Sequence, residues 1–439
     1  MKTNQAPRSV QFILVFVLYQ CLWHVLFPWA LLRLWWKGKK EIGYRQHILE
    51  RFGFYSSEEF ANAVWIHAVS VGETRAAAPL IELLIASGYK VLLTHMTPTG
   101  RATGGSLFAE FIASRQLAQC YLPYDFCWPV SRFYRKYKPQ LGLLMETEVW
   151  PSLLFFARKR FPIQLINGRL SLKSSLSFAK FGSLSRDLFG MFDSILAQSW
   201  ADQKRYEQFG VKHCVVTGNL KFDVQLPKRQ IEEGQQWQQT LSKKIICAAS
   251  TRDGEEKIIL KAWLRIPQEN RPLLVIVPRH LPRVSEISAL LDSEGLSYVR
   301  RSDMEHLQDI PNEVLIGDSM GEMALYLSAA HLVVMGGSWM GTGGQNLIEP
   351  ISLGKPVLVG PSMYNFSQIT KEAVASGIVV QIHGDSDAEL SENLGESFKQ
   401  FMMTDSMIRI SELSKSYAKN HQGATQKTIE NLKLKSNEI

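Results

Sequence analysis

The sequence predicts an α/β protein: two doubly wound, Rossmann-like domains behind an N-terminal membrane-anchoring helix. Three observations predict it. Residues 9–32 form an apolar stretch without a single Asp, Glu, Lys or Arg. After residue 60, short runs rich in Val, Ile and Leu alternate with helical patterns along the remaining chain. A polar, Gln-rich break, PKRQIEEGQQWQQTLSK (227–243), divides that alternation in two. At 439 residues the chain is too long for one ordinary core, and two domains of roughly 150–200 residues are expected. The predicted division is a membrane anchor at 1–36, a first domain at 37–226, a linker at 227–243 and a second domain at 244–439.

As a helix the stretch 9–32 is about 36 Å long at ~1.5 Å per residue, against a hydrocarbon core of about 30 Å. Arg33, Lys37, Lys39, Lys40 and Arg45 follow it, against Lys2 and Arg8 before it. The positive-inside rule places the bulk of the chain in the cytoplasm. A cleaved signal peptide is disfavoured, since Trp and Lys crowd the exit and no small-residue cleavage site follows. Gln11, Gln20 and His24 interrupt the stretch and Pro28 would kink it. A helix lying in the interface therefore stands beside a spanning one.

Continuous apolar strands that alternate with helices mean parallel sheets covered on both faces. In the first half the runs are VWIHAVS (64–70), VLLTHMT (91–97), AQCYLPY (118–124), LGLLMET (141–147), IQLING (163–168), SILAQS (194–199) and CVVTGN (214–219). In the second they are KIICAAS (244–250), LLVIVPR (273–279), LSYVRR (296–301), EVLIGD (313–318), HLVVMGG (331–337), PVLVG (356–360) and GIVVQI (377–382). The net charge of +8 favours acidic partners such as phosphorylated substrates or an anionic membrane face. No basic-aromatic motif of a nucleic-acid module appears. The five cysteines contain no CxxC pair and no Cys/His ligand spacing. That argues against a disulfide framework and a structural zinc site, and reads each cysteine as a small core residue.

Ligands in open parallel sheets bind beyond the carboxyl ends of the strands, so the chemistry is sought there. Glu73 closes HAVSVGE (67–73) at a helix start. It is either a first-turn acid complementing the helix dipole or a base held at a strand tip. Glu146 follows LGLLM, where an acid is costly unless paired, protonated or wet; a structural carboxylate bound to Arg169 or a helix start is the bland alternative. Lys221 in NLKFD (219–223) is by default solvated, and His67 by default a satisfied core histidine. In the second half, AASTRDGEE (248–256) is a turn suited to caging an anion with backbone N–H groups. VPRH (277–280) sets Arg279 after a strand, and DSMGEM (318–323) sets Met320, Gly321 and Glu322 at a helix start. MGGSWMGTGGQNLIEP (335–350) is a glycine-rich turn followed by Asn346 and Glu349 on one helix face. GxxxxGK[ST] is absent, so this is no P-loop NTPase.

HAVSVGE, MTPTG, YLPYD, METEVWP, TGNLKFD, VPRH, GDSMGE and GGS…GGQNLIEP, in this order from about residue 33 to 420, together resemble the Kdo (3-deoxy-D-manno-oct-2-ulosonic acid) transferase family of Gram-negative bacteria. The resemblance implies a GT-B fold, two Rossmann-like domains facing a cleft, with a membrane anchor. It implies transfer of Kdo from CMP-Kdo to lipid IVA at the cytoplasmic face of the inner membrane, as part of lipopolysaccharide biosynthesis. It implies Glu73 as proton acceptor, with Glu146 and Lys221 as transition-state stabilisers. It also implies CMP contacts at Pro278, Arg279, Met320, Gly321, Glu322, Asn346, Leu347, Ile348 and Glu349. The chain departs from the family pattern at MGTGGQN, where a charged residue commonly precedes the Gly pair. No metal or other cofactor is expected, since CMP leaves with one phosphate. Inversion is expected from a single displacement with one base. The helix start is expected to keep Glu73 ionised. Two rival readings remain: a GT-B enzyme using a UDP-sugar on another membrane lipid, and a membrane-tethered nucleotide-binding protein without catalysis.

Overall fold

The computed structural model describes residues 9–56, 60–305, 307, 310, 313–403 and 406–434. The chain forms two compact units, residues 1–224 with 422–439 and residues 225–421. Each contains a seven-stranded sheet in which every pairing is parallel.

In the first unit the strands are β1 Val64–His67, β2 Val91–His95, β3 Leu117–Tyr121, β4 Leu141–Met145, β5 Ile163–Gly168, β6 Ser194–Ala197 and β7 Cys214–Val216. Their order is β3-β2-β1-β4-β5-β6-β7. The order reverses between β1 and β4, which lie side by side with Val64 opposite Leu141. Apolar residues cover both faces: Trp65, Leu92, Leu144 and Leu165 belong to one core, and Val64, Ile66, Leu93 and Leu143 to the other. This is why the strands read as unbroken apolar runs.

In the second unit the strands are β8 Ile245–Thr251, β9 Leu273–Pro278, β10 Tyr298–Arg300, β11 Val314–Ile316, β12 Leu332–Met335, β13 Val357–Val359 and β14 Val379–Gln381. Their order, β10-β11-β9-β8-β12-β13-β14, reverses between β8 and β12.

The predicted linker is not a linker. Lys228–Thr240 is a helix of the second unit. It lies so close to the helix Met323–Ala329 that a Cβ at Gly234 would collide with Ser328 Oγ and the Leu325 carbonyl. Trp237 is buried. Gln238 Nε2 donates to the carbonyls of Ala329 and Ala330 (2.9 and 3.0 Å), and Gln230 Nε2 to that of Gly321 (2.9 Å). Two of the glutamines that made the segment look solvated, Gln230 and Gln238, are its docking groups. The predicted second domain, 244–439, also ends too late. Residues 422–434 return to the first unit, where Asp223 accepts from the Gly423 and Thr425 amides at the start of the helix Ala424–Glu430. Gln164 brackets the segment beyond, donating to the Asn431 carbonyl (3.1 Å) and accepting from Lys433 N (2.9 Å).

The helix α1, Val10–Lys40, runs through Pro28 and starts at Ser9, whose hydroxyl caps the Phe12 amide. Residues 1–8 of the predicted anchor lie outside the described residues. One side of α1 is fastened to the first unit. Phe12 and Phe16 enter its core, with Phe16 stacked on Phe155 at 4.4 Å. Ser9 Oγ donates to Asp187 (2.6 Å) and Tyr19 OH to Asp125 (2.8 Å). Gln20 donates to Ser152 Oγ and accepts from Cys127 N, both at 2.7 Å. Trp23 stacks on Phe126, and Phe27 meets Phe52 edge-on. The other side, with Leu14, Leu18, Leu22, Val25, Leu32, Trp35 and Trp36, is exposed. In the most apolar window of α1 only 11% is buried.

All five cysteines are free thiols. Cys120 and Cys247 are core residues as expected, Cys127 and Cys214 are half-buried, and Cys21 is exposed on α1. Among the described residues no group of three or more His, Cys, Asp or Glu is arranged to hold a metal ion.

Candidate active site

The reversal point of the first sheet collects charged side chains. β1 ends at His67, and the helix α2, Val71–Ala86, begins four residues later with Glu73 in its first turn. The carboxylate folds back and accepts a short hydrogen bond from the Val69 amide. β4 ends at Met145, and Glu146 follows with φ of +55°. That is left-handed backbone, unusual for a residue with a side chain and typical of strained functional positions. The turn is clamped by two backbone bonds, Glu146 N to the Ile166 carbonyl (3.0 Å) and Arg169 N to the Glu146 carbonyl (3.1 Å). The Glu146 carboxylate pairs with Lys221: Nζ to Oε1 is 2.6 Å.

Lys221 is not a solvated loop lysine. It lies on a 3₁₀ turn, Leu220–Asp223, whose first two amides are taken by side chains. Asn219 Oδ1 accepts from Lys221 N (3.0 Å) and Asn167 Oδ1 from Leu220 N (3.1 Å). Gln198 ties the two asparagines together, donating to the Asn167 carbonyl and accepting from Asn219 Nδ2. Lys221 and Glu146 are respectively 19% and 12% exposed, so their ion pair is largely screened from solvent.

Electrostatics reverse the expectation for Glu73. Its pKa is pushed up to about 8, mainly by burial, then by the Glu146 carboxylate, with Glu148 adding to it. The Val69 amide and Lys221 pull the other way and are outweighed. A helix start supplies roughly half an elementary charge, spread over its amides, too little to offset desolvation and two acids. At neutral pH Glu73 is therefore mostly protonated.

Glu148 was not singled out from the sequence, although it stands two residues from Glu146 in METE. Its carboxylate accepts from Trp150 Nε1 (2.5 Å), and burial raises its pKa. His67 is a buried core residue as expected. Burial pushes its pKa down to about 3, so it is neutral. Its 3.8 Å approach to Glu148 is therefore no ion pair.

The second unit builds its reversal point differently. Near the end of β8 Ser250 adopts φ of +58°, and before the helix Glu255–Leu264 Gly254 adopts +84°. One amide of the turn expected to cage an anion, that of Arg252, is taken by the chain itself. The buried Glu255 carboxylate accepts from the amides of Arg252 (2.7 Å), Gly337 (2.7 Å) and Trp339 (2.9 Å). Glu255 thus fixes the glycine-rich turn after β12; its only signal in sequence was an acid at a helix start. Gly336 presses against β8, where a Cβ would meet the Ser250 carbonyl and lie 2.6 Å from Thr251 Cα. Four residues of the turn, Gly337, Gly341, Gly343 and Gly344, have positive φ.

Pro278 closes β9 and is buried, while Arg279 is exposed and anchored by its amide to the Thr251 carbonyl (2.9 Å). Burial and then Arg279, Arg252 and Arg283 lower the pKa of His280, although Arg283 is itself paired with Glu256, Glu286 and Asp253. Met320 is 81% exposed and Gly321 has φ of +86°. The Glu322 carboxylate is engaged internally by Arg301, Ser319 and Tyr326. Leu347 and Ile348 have buried side chains, so any ligand there meets backbone. Asn346 Oδ1 accepts from Ile348 N (3.2 Å), and its Nδ2 donates to Glu349 Oε1 (3.0 Å). Sequence-predicted site residues thus fall into groups: Glu73, Glu146 and Lys221 at the strand ends of the first unit, and Asn346–Glu349 after the glycine-rich turn that follows β12 in the second. Pro278–Arg279 and Met320–Glu322 follow β9 and β11.

Comparison with known proteins gives a consistent answer. The family described as 3-deoxy-D-manno-octulosonic-acid transferase (kdotransferase) matches residues 46–224. The chain is 39% identical over 390 residues to 3-deoxy-D-manno-octulosonic acid transferase of Bordetella pertussis, covering 87% of this chain and 89% of the relative. It is 32% identical over 404 residues to the enzyme of that name in Haemophilus influenzae, covering 85% and 92%. Among solved structures, UDP-GlcNAc 2-epimerase from Neisseria meningitidis aligns with a TM-score of 0.56 at 19% identity, over 84% of this chain and 98% of that one. A glycosyltransferase from Rickettsia africae aligns at 0.55 and 12% identity, over 85% and 98%. At such identities the likeness shows the fold alone, which is of the GT-B type.

Proposed function

The chain belongs to the 3-deoxy-D-manno-octulosonic acid (Kdo) transferase family, and on that premise we propose that it transfers Kdo from CMP-Kdo to lipid IVA with inversion at the anomeric carbon. The observation that carries the mechanism is the buried Glu73–Glu146–Lys221 group at the reversal point of the first sheet. The acceptor is a sugar hydroxyl, which attacks only as its proton is taken. A carboxylate whose pKa is about 8 is a far stronger base than an ordinary one, and it operates close to working pH. Its cost is that it must first be deprotonated.

As CMP leaves, the anomeric carbon gains oxocarbenium character. Glu146, held by its strained turn and by Lys221, is the carboxylate available to balance that charge without reorganising. On the donor side, Arg279 and the backbone at Pro278, Met320–Glu322 and Asn346–Ile348 would hold the CMP phosphate and base. Glu349, oriented by Asn346, would take the ribose diol. One phosphate needs only one such cationic rim, so the reaction is proposed to need no divalent metal. A single base in a single displacement carries the proposal of inversion.

The exposed face of α1 supports membrane association, and its bonded face favours a helix lying in the interface. The polar groups Tyr19 and Gln20 are spent on Asp125, Ser152 and Cys127. Seated in the cytoplasmic leaflet of the inner membrane, α1 would bring the chain to a bilayer-borne acceptor. The test is transfer from freshly generated CMP-Kdo to lipid IVA by wild type and Glu73→Gln, with and without EDTA, reading product mass and anomeric configuration. Mass rising by Kdo units with inverted configuration, unaffected by EDTA and lost in the variant, is the expected result. Retention, EDTA inhibition reversed by Mg²⁺, or an active variant would each remove the corresponding part of the proposal.

A further inference from the structure

A second feature of the first unit lies away from its strand-end acids. An open cavity of about 940 Å³ is lined by Arg45, Arg132, Arg135, Lys136 and His47, with Glu50, Leu49, Phe54 and Tyr55 among its walls. Its size suits a headgroup bearing a sugar or phosphate rather than a bare ion. Arg132, Arg135 and Lys136 stand on one face of the helix Cys127–Tyr137, at i, i+3 and i+4. Among the described residues no carboxylate pairs with any of the three. Glu50, the carboxylate among the lining residues, is already engaged by Arg101 and by the Tyr121 amide. Glu50 also lies 3.6 Å from His47, so the cations left without a carboxylate partner among the described residues are those of the helix, Arg132, Arg135 and Lys136.

Two of those cations are held in fixed orientation. Arg132 lies over the Phe54 ring, 4.0 Å from its centre. Arg45 lies over Trp35, and its Nε and Nη2 donate to the Trp35 carbonyl (3.3 and 3.1 Å). Trp35 belongs to the last turns of α1, next to the exposed Trp36 and followed by Lys37 and Lys39. So Arg45 ties the cavity to the end of the apolar helix. Leu49 and Phe54 line the cavity yet remain 66% and 43% exposed, and apolar groups at a cationic mouth fit a lipid surface better than bulk water.

We propose that this cavity receives the phosphate of a phosphorylated membrane-lipid headgroup. Stacked arginines present planar forks that match phosphate oxygens, and a monoester, with its greater charge, is favoured over a diester. The proposal rests on α1 being seated in the membrane, but not on which sugar is transferred or to what.

The test is flotation of the full-length chain with three kinds of vesicle: phosphatidylcholine alone, and phosphatidylcholine carrying phosphatidic acid or phosphatidylglycerol at matched surface potential. Wild type is expected to partition about tenfold more strongly onto phosphatidic acid than onto phosphatidylglycerol. Arg132→Ala/Arg135→Ala/Lys136→Ala should lose that excess and still float with phosphatidylcholine, which shows that it is folded and that α1 works. Arg132→Lys/Arg135→Lys, which keeps the charge and loses the forks, should lose most of the excess. Equal partition onto the two acidic lipids, or an excess that survives the triple substitution, would overturn the proposal. So would competition in which inorganic phosphate binds wild type but phosphatidic acid gives no excess, since that assigns a soluble anion. Failure to float with any vesicle would sink the reading of α1 along with it.

Discussion

The two strand-end sites use opposite materials. In the first unit the reversal point is built from ionisable side chains: Glu146, Glu148 and Lys221 together act on the charge of Glu73, and Glu146 pairs with Lys221. In the second it is built from backbone: positive-φ glycines, a buried Glu255 that takes three amides, and a rim of arginines. A site that must move a proton is tuned by electrostatics, where one charge alters all the others. A site that must hold a nucleotide is tuned by shape. The first should fail by changes of charge that leave the fold alone, the second by changes of volume that leave charge alone.

The largest expected effect is on the first site. Glu73→Gln keeps an acceptor for the Val69 amide and removes only the ionisable group proposed as the base, so on that proposal kcat should fall by about 10²–10⁴. Binding of CMP, measured by calorimetry, should not change. Weakened CMP binding would mean that the two sites are not separable in this way. The counterpart is Gly336→Ala. A Cβ there meets the Ser250 carbonyl and Thr251 Cα on β8, backbone that cannot rotate aside. It should lower stability by about 1–3 kcal/mol and weaken CMP binding, while the pH dependence of whatever transfer remains is unaltered. A normal CMP affinity would show that the glycine-rich turn is not part of the nucleotide site.

How much of this was readable beforehand differs between the two sites. Strand ends were readable in both, because a strand buried on both faces is an unbroken apolar run that must stop where the chain meets water. Glu146 was readable for the same reason, being an acid directly after LGLLM. The state of Glu73 was not. It depends on β4 lying beside β1, which brings Glu146 and Glu148 near an acid more than 70 positions earlier. The roles of the Gln-rich helix 228–240 and of residues 422–434 were hidden too. Their contacts are polar side chains satisfying particular carbonyls and amides, such as Gln238 on Ala329 and Asp223 on Gly423. Composition registers such groups only as hydrophilic.

A further prediction follows from Glu73 itself. Its pKa in the folded chain, about 8, lies above the ordinary 4.5. Between those values the native state binds more protons than the unfolded one, so this residue makes stability fall as pH rises, levelling off above about 8. Glu73→Gln is free of that penalty. Its stability relative to wild type should grow from near zero below pH 4.5 to on the order of 3 kcal/mol at pH 8, by ~1.4 kcal/mol per pH unit discounted for partial relaxation. Denaturant titrations at three pH values would show it. A difference independent of pH would mean that Glu73 ionises normally.

The smallest effects sharpen the comparison most, because they carry opposite signs. If ionised Glu73 is the base, kcat/KM should rise with pH and level off near pH 8. Glu148 holds that value up and Lys221 holds it down. Glu148→Gln keeps the acceptor for Trp150 Nε1 and removes a negative neighbour, so the rise should move to lower pH by up to about one unit. Lys221→Met removes a positive neighbour and frees the Glu146 charge, so the rise should move to higher pH by a similar amount. Packing damage alone would lower kcat/KM in both variants without moving either curve. Two shifts in the same direction would deny that Glu73 is the titrating group. Shifts in opposite directions require an acid that feels both charges, as Glu73 does.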